Sequence, residues 1–182
     1  MDYSFNTAWN TVMETLKTGI HDLGSLHPAI VHLPIALLML APLFIILGMI
    51  FHKVARPMFI TALIVLSFGT GSIFMAIESG EEASEHVPSA PQILDTLEMH
   101  DHLAHMMRNY FSILTVIMAV FALSYPKLER QLNRKGINVL MLVLLCFYAY
   151  CLIYLLNTAH QGGKLVHQFG VRSDLYSPHS PE

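Results

Sequence analysis

Four long runs without a single Asp, Glu, Lys, Arg or His dominate this chain: Leu33 to Phe51, Met58 to Ile77, Tyr110 to Tyr125 and Ile137 to Leu156. A helix needs about 20 predominantly apolar residues to cross the hydrocarbon layer of a bilayer. Three runs approach that length, and the third reaches it if it starts near His105. In lipid every backbone N–H and C=O must be satisfied within the segment, so such runs are expected as helices. Four spans use most of 182 residues, and with 54% hydrophobic residues and a mean hydropathy of +0.51 the chain reads as one integral membrane domain.

The connections set the expected architecture. Residues 52 to 57 and 126 to 136 are short and force antiparallel neighbours, so the expected fold is all-α, a four-helix up-down-up-down bundle, with Pro126 and Gly136 framing the second turn. Before the first span, Phe5, Trp9, Val12, Met13, Leu16 and Ile20 recur at steps of three and four. That spacing describes an amphipathic helix over 1–26, lying in the interface with Trp9 as anchor or docked on a partner subunit. The same segment lacks the basic start and continuous apolar core of a cleavable leader. The bundle domain is then 27–171, and 172–182, with Pro178 and Pro181 among polar residues, is expected as a flexible tail. Cys146 and Cys151 lie five residues apart in one span, where a disulfide between them is implausible.

Charge gives the orientation. Lys and Arg near span ends stay on the cytoplasmic side, and the short connections carry Lys53, Arg56, Lys127, Arg130, Arg134 and Lys135 against the single acid Glu129. The other twelve of the thirteen acids fall on the opposite side, which places both termini and the long connection Glu78 to His105 outside. In a bacterium this is the inner membrane with periplasmic termini. Ten of the eleven histidines then lie outside and only His52 inside.

An imidazole near the apolar layer is costly without a partner and usually marks a ligand, ion or proton site. By depth, His32 and His105 sit at a similar level under the outer surface, and His27 and His100 each come five residues earlier, as a shallower layer. His160 follows the fourth span by four residues, so three spans deliver imidazoles to one rim. Two neutral imidazoles from facing helices can take the axial positions of a haem iron. On that reading His32 and His105 hold the deeper haem b, and His27, His100 and His160 supply a second haem or the surroundings of the first. Gly69 and Gly71 give the ring room, and Arg108 and Lys164 neutralise its propionates. The same five histidines, with acids such as Asp101 at helical spacing, also suit a transition metal ion. Met99, Met106 and Met107 could replace an imidazole on haem or bind copper, or act as apolar filler. His86, His102, His167 and His179 read as solvated surface residues, and helix-capping histidines in a structural subunit are the plainest alternative. The small-residue run Ser67 to Ser72 lets a flat cofactor or, as the commoner reason for such a run, another helix approach the backbone.

Three stretches carry a resemblance: HPAIVHLPIAL (27–37), SGEEASEH (79–86) leading to LEMHDHLAHMMRN (97–109), and TAHQGGKLVHQFGV (158–171). Together they resemble the bacterial predicted-membrane-protein family known as domain of unknown function 2231. Its pattern maps onto His27, Pro28, His32, Pro34, His100, His105, His160, Gly162, Gly163 and Gly170, with Leu33 where the family favours Phe. The resemblance implies a four-helix membrane domain that is sometimes joined to c-type cytochrome or Rieske-type modules, and hence respiratory redox chemistry.

The resulting expectation is a membrane-embedded haem subunit in the bilayer that passes electrons at the periplasmic face between quinol and a periplasmic cytochrome or other redox subunit. It is an electron-transfer subunit more than a stand-alone enzyme. The alternative is a metal-binding or metal-sensing membrane protein. No hydrolase triad or phosphate loop is present, Gln161-Gly162-Gly163-Lys164 being a short turn on this reading, and no basic surface suggests nucleic acid.

Overall fold

The computed structural model describes residues 7, 9–13, 17, 23–85 and 87–171. All regular structure among them is helical. A short helix α1 (Leu23–Ile30) leads into α2 (His32–Ile50), and a 3-10 turn (His52–Val54) connects to α3 (Ala55–Ser84). Then come α4 (Pro91–Gln131) and α5 (Arg134–His167). Taking α1 with α2, four segments are long and apolar enough to cross a membrane. Of the interfacial helix expected over 1–26, residues 7, 9–13 and 17 are helical, with Trp9, Val12 and Met13 exposed. Its positions 23–26 belong to α1, and the others, Phe5, Leu16 and Ile20 among them, lie outside the described residues, as do His86, His179 and the tail 172–182.

Prolines shape the first span. Pro34 has no N–H for the Ile30 carbonyl and its ring crowds that carbonyl, and the helix is interrupted at Val31, between α1 and α2. Pro42 lies within α2 and withholds an N–H from the Leu38 carbonyl in the same way. The Tyr148 hydroxyl of α5 donates to that carbonyl at 2.8 Å, from a fully buried position. A backbone group orphaned by one helix is thus satisfied by another, as the interior of a membrane protein requires.

The helices extend well beyond the apolar runs, and three expectations are corrected. The long connection Glu78 to His105 is mostly helix, because α3 runs on to Ser84 and α4 begins at Pro91, leaving residues 85–90 as the link. Pro91 stands at the first position of α4, where its missing N–H costs nothing. Pro126 does not end α4, which continues to Gln131, and Gly136 lies inside the first turn of α5. The cap of α5 is Asn133, whose side chain accepts from the Gly136 N–H at 2.9 Å. Gly162 and Gly163 form no turn; α5 carries both and ends at His167.

Contacts fix the registers. Gly48 lies on Phe59 and Gly69 on Leu38, so α2 and α3 meet with residue numbers rising along one and falling along the other. Phe111 meets the Tyr148 ring and Tyr110 the Tyr154 ring, which gives α4 and α5 the same relation. Thr70 and Thr115 share a hydroxyl hydrogen bond of 2.8 Å between α3 and α4. Arg134 closes the bundle by donating from Nη2 to the last carbonyls of α2, Met49 at 2.6 Å and Ile50 at 3.0 Å. The core is one apolar cluster that includes Leu38, Ile45, Phe59, Leu66, Phe111, Leu114, Met118, Met141 and Cys151. The outer faces are also apolar: Leu43, Ile64, Phe68, Val116, Leu123 and Val143 are exposed. Both cysteines are free thiols, Cys146 exposed and Cys151 buried.

Candidate functional site

At the end of the bundle where α1 begins, α3 ends, α4 begins and α5 ends, a cavity of about 700 Å³ opens between the helices. All four spans line it, mostly with apolar side chains such as Ile35, Ile73, Ala104, Met107 and Leu155. That volume lies in the range of organic cofactor pockets, about 300–1,000 Å³. His27 of α1 and His100 of α4 face it. They come from diagonal spans, since α3 and α5 pack between the first span and α4. Their ring centroids lie 6.4 Å apart with the planes at 90°.

Each imidazole is held the same way. His100 Nδ1 lies 2.9 Å from the Thr158 carbonyl. A carbonyl only accepts, so Nδ1 carries the proton and a neutral ring leaves the Nε2 lone pair free. His27 Nδ1 lies 3.0 Å from Ser79 Oγ, and the Ser79 hydroxyl donates its only proton to the Ala76 carbonyl at 3.0 Å. Ser79 therefore accepts from His27 Nδ1–H, which fixes the same tautomer.

Beneath each ring is a glycine. A Cβ on Gly80 would stand 3.0 Å from His27 Cε1, and one on Gly162 would stand 3.0 Å from His100 Cε1. Gly80 follows Ala76 by four residues and Gly162 follows Thr158 by four, the helical spacing at which a side chain would cover the preceding carbonyl. The two halves of the bundle thus share one device, a carbonyl uncovered by a glycine one turn later with an imidazole from a neighbouring helix laid over it.

The other expected site residues are placed elsewhere. His32 lines the cavity but is exposed, with Nδ1 turned back 2.6 Å to the Pro28 carbonyl of its own chain. His105 does not line the cavity; its Nε2 lies 3.4 Å from Asp101 and 3.9 Å from Glu81. His160 is exposed. Gly69 is filled by Leu37 and Leu38, the helix-packing reading, and Gly71 faces open space. Arg108 stacks over the Phe74 ring at 5.8 Å and bonds Asn109, and neither it nor Lys164 lines the cavity. Among the described residues, no three His, Cys, Asp or Glu side chains converge as a metal-ion site would need.

Ser79 and Gly80 were missed in the sequence as partners of an imidazole, and Thr158 likewise. The readable signal was the glycine in each even-numbered span, Gly80 and Gly162, near the level of a histidine in the span before it.

A match to the family described as predicted membrane protein, DUF2231, runs over residues 24–175. The chain belongs to the DUF2231 family. The match contains the whole cavity and both histidine half-sites. No curated protein and no solved structure matches this DUF2231 chain.

Proposed function

We propose that this DUF2231 protein is a membrane-embedded b-type haem subunit in which His27 and His100 would hold the haem iron, in place of the deeper pair His32 and His105. The observation that carries the reading is the pair itself: two imidazoles of fixed tautomer, on diagonal helices, facing one cofactor-sized apolar cavity. With metal–imidazole bonds of about 2 Å, and each ring centre roughly 1 Å further back, two axial imidazoles have centroids roughly 6 Å apart. The 6.4 Å separation and crossed planes fit that arrangement. Bound there, a haem would supply one-electron redox chemistry. The chain's own residues orient both ligands through Ser79 and Thr158, and Ile35, Ile73, Met107 and Leu155 exclude water. One pair supports one haem. A bare metal ion would need more protein ligands than two, and a haem iron does not.

In this reading the bundle is up-down-up-down, as the registers of α2 through α5 support, with domain 27–171 in the bacterial inner membrane and both termini in the periplasm. The basic cluster Lys53, Arg56, Lys127, Arg130, Arg134 and Lys135 supports that orientation. The cavity then lies at the outer face, placed to take electrons from quinol in the bilayer and pass them to a periplasmic cytochrome or other redox subunit.

Spectroscopy on the detergent-purified protein tests this. The dithionite-reduced minus oxidised spectrum should show the sharp bands of a low-spin haem b, at one haem per chain. His27→Ala and His100→Ala should each abolish that spectrum in protein that still elutes as a single species, while His32→Ala and His105→Ala keep a full load. A haem-free protein, or a full load in the first two variants, overturns the assignment.

A further inference from the structure

The charged lining of the cavity is of one sign. Glu81 from α3 and Glu98 and Asp101 from α4 line it, and among the described residues no Lys or Arg does. The remaining titratable groups on its walls are His27 of α1, His32 of α2 and His100 of α4; α5 contributes no charged side chain. Behind the acids, His105 contacts Glu81 and Asp101 and leaves Glu98 without it. Arg108 and Lys164, each next in sequence to a lining residue, do not line the cavity.

We infer that Glu81, Glu98 and Asp101 form an electrostatic collar that sets the redox preference of the cavity, holding a bound bis-imidazole haem toward its ferric state and keeping the haem propionates away from this rim. The inference rests on the haem reading above. The physical basis is charge alone. Two neutral imidazoles leave a ferric porphyrin core with one net positive charge and a ferrous core with none. Carboxylates at the cavity wall stabilise the first form and not the second. The three acids are exposed at the cavity rim, so their effect is screened by salt and is greatest at low ionic strength. The reduction is a single electron added to iron, with no bond made or broken. The collar therefore lowers the tendency to accept that electron and raises the tendency to pass it on to an acceptor outside. Toward the propionates of a bound haem the same carboxylates would be like charges, so Glu81, Glu98 and Asp101 would disfavour them at this rim.

Mediated redox titration of the haem-loaded protein tests the collar separately from haem binding itself. At one fixed pH and low ionic strength, Glu81→Gln, Glu98→Gln and Asp101→Asn should each raise the midpoint potential, and the triple variant should raise it most. Asp95→Asn, an exposed acid of the same helix that does not line the cavity, is the control and should leave the potential near that of the parent. If the variants keep the parent's reduced spectrum and their potentials stay with that of the Asp95→Asn control, or fall, the collar is refuted while the haem assignment stands. Absence of any haem spectrum in the parent refutes the haem assignment instead. A shift confined to Glu81→Gln and Asp101→Asn, the two acids that touch His105, would assign the effect to His105 and overturn the three-residue collar.

Discussion

His27 and His32 are five residues apart, as are His100 and His105. Five residues rotate a continuous helix by about 140°, which turns His105 away from the cavity that His100 faces, while the break at Val31 separates His27 from His32. Ranking them by depth favours the deeper members, whereas His27 and His100 are the pair whose ring centroids come within 6.4 Å. A histidine is held facing inward only where the opposite helix offers its Nδ1–H an acceptor. The Thr158 carbonyl and the Ser79 hydroxyl are those acceptors, and Gly162 and Gly80 leave room for the rings. Because a methyl at either glycine would stand 3.0 Å from an imidazole, the ring must give by a few tenths of an ångström. On the proposed haem reading, Gly80→Ala and Gly162→Ala are expected to lower haem occupancy and shift the reduced band while the bundle stays folded. Gly163→Ala is the matched control, since a Cβ there meets nothing within 4 Å. Inside a helix it should retain full haem and gain up to about 1 kcal/mol of stability. Quantifying haem per chain and the thermal midpoint of all three variants checks this.

At the scale of elements, each helix compensates for a defect in its neighbour. Pro42 deprives the Leu38 carbonyl of its helical donor, and Tyr148 supplies another from α5. Tyr148→Phe leaves that buried carbonyl unsatisfied and should cost about 1–3 kcal/mol. In a Pro42→Ala background the helix regains its own N–H, so the same tyrosine change should cost clearly less. Unfolding of the four proteins in mixed detergent gives the coupling; equal costs in both backgrounds would show that Tyr148 does not serve the proline's orphan. Arg134 caps α2 in a similar way, donating to Met49 and Ile50 from the first turn of the neighbouring α5. Neither pairing was legible in the sequence, because the partners are separated by 110 and about 85 residues. The lengths of α3, α4 and α5 were underestimated for a related reason. Beyond the apolar runs the polar ends are kept helical by tertiary contacts, such as His27 on Ser79 and His100 on Thr158, which no local propensity records.

The whole molecule is apolar on both sides of its helices, with Phe59 and Phe111 buried and Leu123 81% exposed. A surface of that kind suits lipid and not water, and membrane residence was accordingly plain from four uncharged runs. Orientation is a matter of the basic connections, and it can be measured. In a background with both cysteines replaced, Asp95→Cys should react with a membrane-impermeant maleimide on intact cells, and Lys53→Cys only after permeabilisation. The reverse pattern would move the cavity to the cytoplasmic face. The amino-acid sequence on its own determined the class of fold, four membrane helices joined by short connections, because hydrophobicity and chain length act locally and can be counted. It also brought the histidines to one end of the bundle. Which of them meet was decided only by the tertiary structure. The angle at which each helix turns its face inward depends on glycines, prolines and carbonyls of other helices, and that information is spread over distant residues whose contact the chain order does not reveal.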